Sequence, residues 1–483
     1  MDNKPCASEE APGTGCTIHP LSAMQATRQA AASMGIVQQS KPTADTGTLV
    51  ILAFSTTAGV LVEFYDFVIY GFAAASAFPS IFFPGLSPTR ALVLSYLAFG
   101  AGFPARLVGA FIFGHFGDRA GRKVAFVTNI LVVGVTTCLT GLLPGYAKLG
   151  LAAPILLVFF RIVQGIGVGG EFGGASALLA EFGAKRRSRA FWTSLANLGM
   201  PLGFMAATAI MLVLNKTFTD TGWRIAMLLS AVIVIPALVA RFKLADSPIF
   251  EQLKERQQLA RAPSLAVFRT HAASVMLVAI ALAFMQMDAY VSGTFSLSFM
   301  KFAGIPLATT AILLMFSRIF DVLGIFVSGP LADLLKRRAV AYAAIAITTS
   351  LSYPFALAVL SRRVLLIAIL QSLITFFGVG LLHGLAPILT SESFPTRFRY
   401  SGGGISYGLS AILGGAIAPS FLAGLIGNDV VHRWFYMPVV YGVYCVAAML
   451  SLLFIRETRD LAMEDIDQEA PTLSGVRAEK NIN

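Results

Sequence analysis

The chain has 483 residues, of which 56% are hydrophobic and 13% charged, with a mean hydropathy of +0.75. A soluble chain of this size would carry about 25% charged residues, so a water-soluble globular fold is excluded and a polytopic membrane protein is implied. The net charge of +11 invites a nucleic-acid reading, but the basic residues lie in short loops between apolar runs, where they act as topogenic charge, and no nucleic-acid partner is expected.

In chain order, residues 1–48 are polar and rich in Ala, Ser, Thr and Pro. They lack the basic start and short apolar core of a signal peptide and read as a disordered cytoplasmic arm. Twelve apolar runs follow, each long enough to cross a bilayer as a helix. The first six are expected near 49–73, 91–115, 123–143, 154–180, 189–214 and 223–242. The second six are expected near 272–300, 307–331, 339–360, 364–391, 400–427 and 433–455. The fold class is an all-α polytopic membrane protein with twelve transmembrane helices in two six-helix halves. One bundle occupies 49–243 and the other 272–457, with a polar cytoplasmic loop at 244–271 between them and a cytoplasmic tail at 458–483.

Orientation follows from Lys and Arg in the short loops. One side collects Arg119, Arg122, Lys123, Lys185, Arg186, Arg187, Arg189, Lys336, Arg337, Arg338, Arg397 and Arg399. The other has Arg90, Lys148, Lys216, Arg362 and Arg363. The first side is read as cytoplasmic, with both termini inside a bacterial inner (plasma) membrane. Cys6, Cys16, Cys138 and Cys445 show no paired spacing, so neither a disulfide framework nor a metal site is indicated.

The first span contains VLVEFYDFVIYG, with Glu63 and Asp66 three residues apart on one helix face. A charge near the bilayer centre costs roughly 2.5–3.5 kcal/mol on insertion scales, so the pair is expected to have a task. Two like charges held close in a low-dielectric site cannot both stay ionised cheaply. The pair therefore reads as a proton-coupling site, with the hydroxyls of Tyr65 and Tyr70 nearby.

Counting 1.5 Å per residue from each cytoplasmic end gives depths. His383 and Glu171 fall at ~13 and ~15 Å, Arg106 and Asp321 at ~18 Å, and Glu63 and Arg318 at ~21–22 Å. Asp66 and Asp288 fall at ~25 Å and Arg161 near the outer boundary at ~30 Å. Such groups face a bundle interior or a water-filled cavity. Arg106, helped by Arg161 and Arg318, is expected to clamp a carboxylate, with Gln164, Glu171, Asp288, Tyr290, Asp321 and His383 as further substrate contacts. Arg318 and Asp321, three apart on one face, can also pair with each other.

The halves repeat. GHFGDRAGRK (Gly114 to Lys123) and GPLADLLKRR (Gly329 to Arg338) align Gly114 with Gly329, Asp118 with Asp333 and Arg122 with Arg337. AEFGAKRRSR and SESFPTRFRY form a second pair, each with an acid, Glu181 or Glu392, ahead of basic residues. Internal repeats point to a transporter with its site between the halves.

GHFGDRAGRK resembles the major facilitator superfamily, whose loop between spans 2 and 3 carries G-x-x-x-D-R-x-G-R-[RK]. EFYDFVIYG, RIVQGIGVGGEFGGASALLAE and SESFPTRFRYSGGGISYG resemble its metabolite:proton symporter branch, which includes shikimate, α-ketoglutarate and proline/betaine permeases. The chain departs from the branch at Phe64, at Leu107 and Val108 after Arg106, and at Lys336 in the second loop copy. The resemblance implies alternating access, with a charge network at one end: Gly114, Asp118, Arg119, Gly121, Arg122, Glu181, Arg187, Asp333, Arg337, Glu392 and Arg397.

GIGVGG (Gly165 to Gly170) fits G-x-G-x-x-G but follows no strand, and its glycines read as helix packing. His115 reads as an interface residue. No catalytic spacing appears, so no enzyme and no cofactor are expected. The expected function is proton-coupled uptake of a small polar metabolite, foremost an organic acid, by a functional monomer in the lipid bilayer. A zwitterionic osmolyte symporter and a drug:proton antiporter are the alternatives within transport. A membrane sensor is the alternative from another class.

Overall fold

The structure is a computed structural model and describes residues 46–183, 188–214, 216–242, 263–426, 429–461 and 466. Nearly all of the expected N-terminal arm, most of the central loop, Lys185 to Arg187 and most of the C-terminal tail lie outside the described residues.

Among the described residues, twelve helices are long and apolar enough to cross a membrane. They are α1 (Thr46–Ser76), α2 (Arg90–Arg119), α3 (Arg122–Leu142), α4 (Ala152–Phe182), α5 (Arg189–Val213) and α6 (Phe218–Phe242). The second half comprises α7 (Ala272–Phe302), α8 (Thr309–Leu334), α9 (Arg337–Leu360), α10 (Val364–Glu392), α11 (Thr396–Ile426) and α12 (Val430–Phe454). Helix is the solution that pairs every backbone N–H and C=O within one segment, as lipid requires. Large apolar side chains such as Val213, Leu365 and Phe454 point outward, as a lipid-facing surface demands. The chain is a multi-pass membrane protein.

The halves pack alike. In the first, α1 lies on α5 and α6, α2 on α4, and α3 on α6; in the second, α7 lies on α11 and α12, α8 on α10, and α9 on α12. Between the halves, α2 meets α11, α5 meets α8, and α4 meets α10 and α11. Gly169 confirms the packing role of its glycine-rich run: a methyl group there would lie 2.1 Å from the Arg106 carbonyl oxygen.

Two features bear on the site. π-Helical turns interrupt α7 at Val291–Phe295, α10 at Thr375–Leu381 and α11 at Ala411–Ile417. Such turns are points of bending and often mark functional positions. The end of the expected central loop is also helical, over Pro263–Thr270, where Pro263 sits in the first turn without losing a helical bond. Ser264 Oγ of this helix donates to the Phe111 carbonyl at 2.7 Å, anchoring it to α2.

Candidate functional site

A cavity with about 560 Å³ of atom-free space lies between the halves. Phe64 and Phe67 of α1 and Met200 and Phe204 of α5 form one wall; Tyr290 of α7, Arg318 and Asp321 of α8 and His383 of α10 form the other. A smaller hollow adjoins it at Phe67 and is lined by Phe103, Arg106, Arg161 and Gln164. The ionisable residues expected inside the spans stand on several of the helices that line this space, and the structure decides which side chains reach it.

Glu63 and Asp66 share a helix but not a site. Glu63 pairs with Arg106 of α2 at 3.0 Å. Asp66 turns to α3, where its Oδ2 accepts from Thr137 Oγ1 at 2.6 Å. The expected like-charge pair is therefore replaced by two separately partnered carboxyls. A guanidinium or a hydroxyl donor is a better neighbour for a buried carboxylate than another carboxylate is.

A hydrogen-bond relay runs on from Asp66. Thr137 Oγ1 accepts from Gln164 Nε2 at 2.6 Å, and Gln164 Oε1 accepts from Arg161 Nη1 at 2.6 Å. Arg161 Nε donates to the Phe99 carbonyl at 3.2 Å, and its guanidinium lies 4.4 Å from the Tyr70 ring. Arg161 is only 5% exposed, yet no carboxylate pairs with it among the described residues. The depth count places it apart from Arg106, but both line the same hollow; helix tilt and a long side chain close the gap.

Other expected contacts face elsewhere. The Tyr65 hydroxyl donates to the Ala226 carbonyl of α6 at 2.7 Å, and the Tyr70 hydroxyl is buried without a partner; neither residue lines either hollow. Glu171 forms a buried ion pair with Arg241 of α6. Arg241 also donates to Asn129 Oδ1 at 2.9 Å and to the Phe126 carbonyl at 2.5 Å. Asp288 is fully buried and accepts from the Tyr441 hydroxyl at 2.6 Å, away from the cavity.

In the second half, Arg318 and Asp321 do pair, at 3.4 Å, and His383 Nδ1 lies 3.8 Å from Asp321 Oδ1. The Arg318 guanidinium sits 4.9 Å from the Phe204 ring of α5, across the interface. Tyr290 reaches the other way, its ring 6.2 Å from that of Phe67.

The repeated loops meet at one end of the molecule and exchange partners. Asp118 of α2 accepts the backbone N–H groups of Tyr400 and Ser401 in α11. Asp333 of α8 accepts those of Ala190 and Phe191 in α5, at 3.1 and 3.0 Å. Each carboxylate therefore caps the first turn of a helix in the other half, where unpaired N–H groups and the helix dipole favour negative charge. Close approach requires glycine: a methyl at Gly114 would lie 2.8 Å from Ser401 Cα, and one at Gly329 2.4 Å from Phe191 Cα. Gly121 starts α3 with φ of 127°, a conformation only glycine adopts freely.

Glutamates complete each copy. Arg122 pairs with Glu181 at 2.7 Å and with Asp118 at 3.5 Å, and Arg399 reaches Glu181 from the other half at 3.0 Å. In the second copy, Arg337 lies 3.4 Å from both Asp333 and Glu392, and Arg189 pairs with Glu392 across the halves. Thr458, past α12, donates to Glu392 at 2.5 Å. Of the expected network, Arg119 and Arg397 are exposed and outside it, and Arg187 lies outside the described residues. Arg189, Arg399, Arg241 and Thr137 are among the residues the sequence reading missed, as are the cavity-lining Phe67, Met200 and Phe204. Arg189 and Arg399 follow the repeated glutamates at similar intervals, a usable signal; Arg241 and Thr137 carry none.

A family model described as sugar (and other) transporter matches residues 52–317. The chain belongs to that family, within the major facilitator superfamily. As a member of the sugar (and other) transporter family it is a transporter, not an enzyme. It is similar to the inner membrane metabolite transport protein YhjE of Escherichia coli (strain K12), 36% identical over 83% of this chain and 92% of that one. It is also similar to the shikimate transporter of Escherichia coli (strain K12), 31% identical over 86% and 97% of the two chains. The citrate-proton symporter of Klebsiella pneumoniae is 29% identical over 77% of this chain and 84% of its own. A solved structure of the proton:xylose symporter XylE bound to 6-bromo-6-deoxy-D-glucose has a TM-score of 0.72. It is 14% identical and covers 88% of this chain and 99% of its own, a likeness of fold.

Proposed function

We propose that the protein takes up a small organic acid together with protons, by alternating access between the bundles 49–243 and 272–457. The observation that carries this reading is the relay Arg161–Gln164–Thr137–Asp66. It joins a buried guanidinium without a carboxylate partner to a buried carboxyl on another helix. An anionic substrate supplies the charge that Arg161 lacks, and a guanidinium presents a planar fork matched to a carboxylate. When substrate draws Arg161 away from Gln164, the change passes through two hydrogen bonds to Asp66, whose proton then travels with the substrate. Arg106 is the second clamp, held in place by Glu63.

The similarity to a shikimate transporter and to a citrate-proton symporter supports the same class, since both named substrates are carboxylic acids. A zwitterionic osmolyte is the second reading, favoured by aromatic rings beside Asp321 in the cavity. Against it, Arg106 already lies 5.6 Å from the Phe67 ring and Arg318 covers Phe204. The Lys and Arg distribution orients the Asp118 end towards the cytoplasm of a bacterial cell, with both termini on that side. The capped and ion-paired contacts at that end are read as the gate that opens inward.

The test is a screen of labelled organic acids and betaine in vesicles, with and without a pH step. Accumulation of an acid that depends on the step is expected. Accumulation of betaine in preference to every acid overturns the substrate class.

A further inference from the structure

Asp288 of α7 lies apart from both hollows and is 0% exposed. Its Oδ1 has one donor, the Tyr441 hydroxyl of α12; its Oδ2 is buried without a hydrogen-bond partner. That oxygen presses on α10 at Gly378, where a methyl group would lie 2.1 Å from it and 2.5 Å from Thr348 Cγ2 of α9. One turn further along α7, Gln371 of α10 donates to the Ser292 carbonyl at 2.9 Å. The charged groups that face Asp288, Arg318 and Asp321 of α8, are paired with each other. The other packed helices present Thr348, Gly378 and Tyr441. No cation pairs with Asp288 among the described residues.

A buried carboxylate with one donor and no cation carries a large desolvation cost. A proton on Oδ2 removes it. A sodium ion would need several oxygens gathered around a void, and Oδ2 rests on backbone instead. The π-helical turns Val291–Phe295 and Thr375–Leu381 lie beside this contact on both helices, and the same helices carry Tyr290 and His383 into the cavity.

We propose that Asp288 is a second proton site, separate from Asp66, whose neutral form lets α7 close on α10 and α12, so that each cycle moves two protons. The proposal rests on the proton-coupled reading above. The proton enters on Oδ2 when the contact at Gly378 opens, travels as the neutral carboxyl, and leaves from the same oxygen on the other side.

The test uses the full chain in lipid vesicles. Infrared difference spectra between acid and alkaline buffer, taken without substrate, report protonated carboxyls. One C=O band is expected to vanish in D66N and a different one in D288N. Y441F keeps the carboxyl and removes its donor, so it shifts the second band even if D288N fails to fold. With the membrane potential clamped at zero, each coupled proton contributes a factor of about ten in accumulation per pH unit. D288N is therefore expected to accumulate labelled shikimate about tenfold less across a one-unit step while keeping exchange at equal pH. Wild-type bands in both D288N and Y441F, or wild-type accumulation in D288N, overturn the proposal. A sodium-driven component that D288N removes overturns the proton identity. A wild-type chain that ignores the pH step overturns the proton-coupled reading itself, and the infrared bands then decide Asp288 alone.

Discussion

Asp118 accepts the backbone N–H of Ser401 at 2.8 Å, so a carboxylate on α2 caps the opposite half's α11 where its α-helical part begins at Arg399. Asp333 does the same for α5, and the two caps hold the halves together at one end. In the alternating access proposed above, the contact belongs to one conformation and is broken in the other, so it sets the balance between them.

Asp118→Asn is expected to slow transport by about tenfold, the worth of roughly one charge-assisted hydrogen bond. Substrate affinity should change far less. Rates of uptake and equilibrium binding, measured on the same preparation, check this. A variant with wild-type turnover would remove Asp118 from the gate.

Arg106→Ala should abolish uptake of a carboxylate, and Arg106→Lys should restore it poorly. Lysine supplies one point charge, whereas the fork of arginine can hold Glu63 and, in the proposed reading, a substrate oxygen as well. Full affinity in the lysine variant would make Arg106 a structural counter-ion for Glu63.

Asp66→Asn mimics a permanently protonated carboxyl. It should lose the accumulation that its own proton drives, about tenfold per pH unit at zero membrane potential, and keep counterflow at equal pH, because exchange needs the moving carrier but no net proton release. Gln164→Leu breaks the relay between Arg161 and Thr137 and should give the same pattern in milder form. Concentrative uptake by Asp66→Asn at the wild-type level would move the coupling site elsewhere.

Arg241→Met leaves Glu171 buried without its cation, a change that costs about 3–5 kcal/mol when one member of a buried pair is removed. A marked fall in thermal stability is the expected outcome. Arg241→Met combined with Glu171→Leu should recover much of it, since two apolar residues can replace a buried pair. Equal destabilisation in the single and double variants would mean that Arg241 acts through Phe126 and Asn129 instead.

Orientation is checked by single cysteines at Arg119 and Lys148, both exposed. A membrane-impermeant thiol reagent applied to intact cells should label the second and not the first. The reverse pattern would invert the topology.

The number, order and approximate limits of the twelve helices were legible in the sequence alone. Hydrophobic length and loop charge are properties of the linear chain, and lipid leaves helix as the answer to a long apolar run. The repeat was legible for the same reason: Asp118 and Arg122 recur as Asp333 and Arg337 at one spacing. Which helix carries each buried charge was legible too, since a residue inside an apolar run belongs to that span. Direction around the helix axis, and hence choice of partner, was not. Residues three apart lie close enough on the helix surface to be read as one site, yet Glu63 turned to α2 and Asp66 to α3. Asp288, counted to the depth of Asp66, turned its carboxyl to α12 and away from the cavity. Glu181 and Glu392 each drew an arginine from the opposite half. A buried carboxyl is partnered by whichever donor the packing of neighbouring helices brings within about 3 Å, and only the tertiary structure specifies that packing.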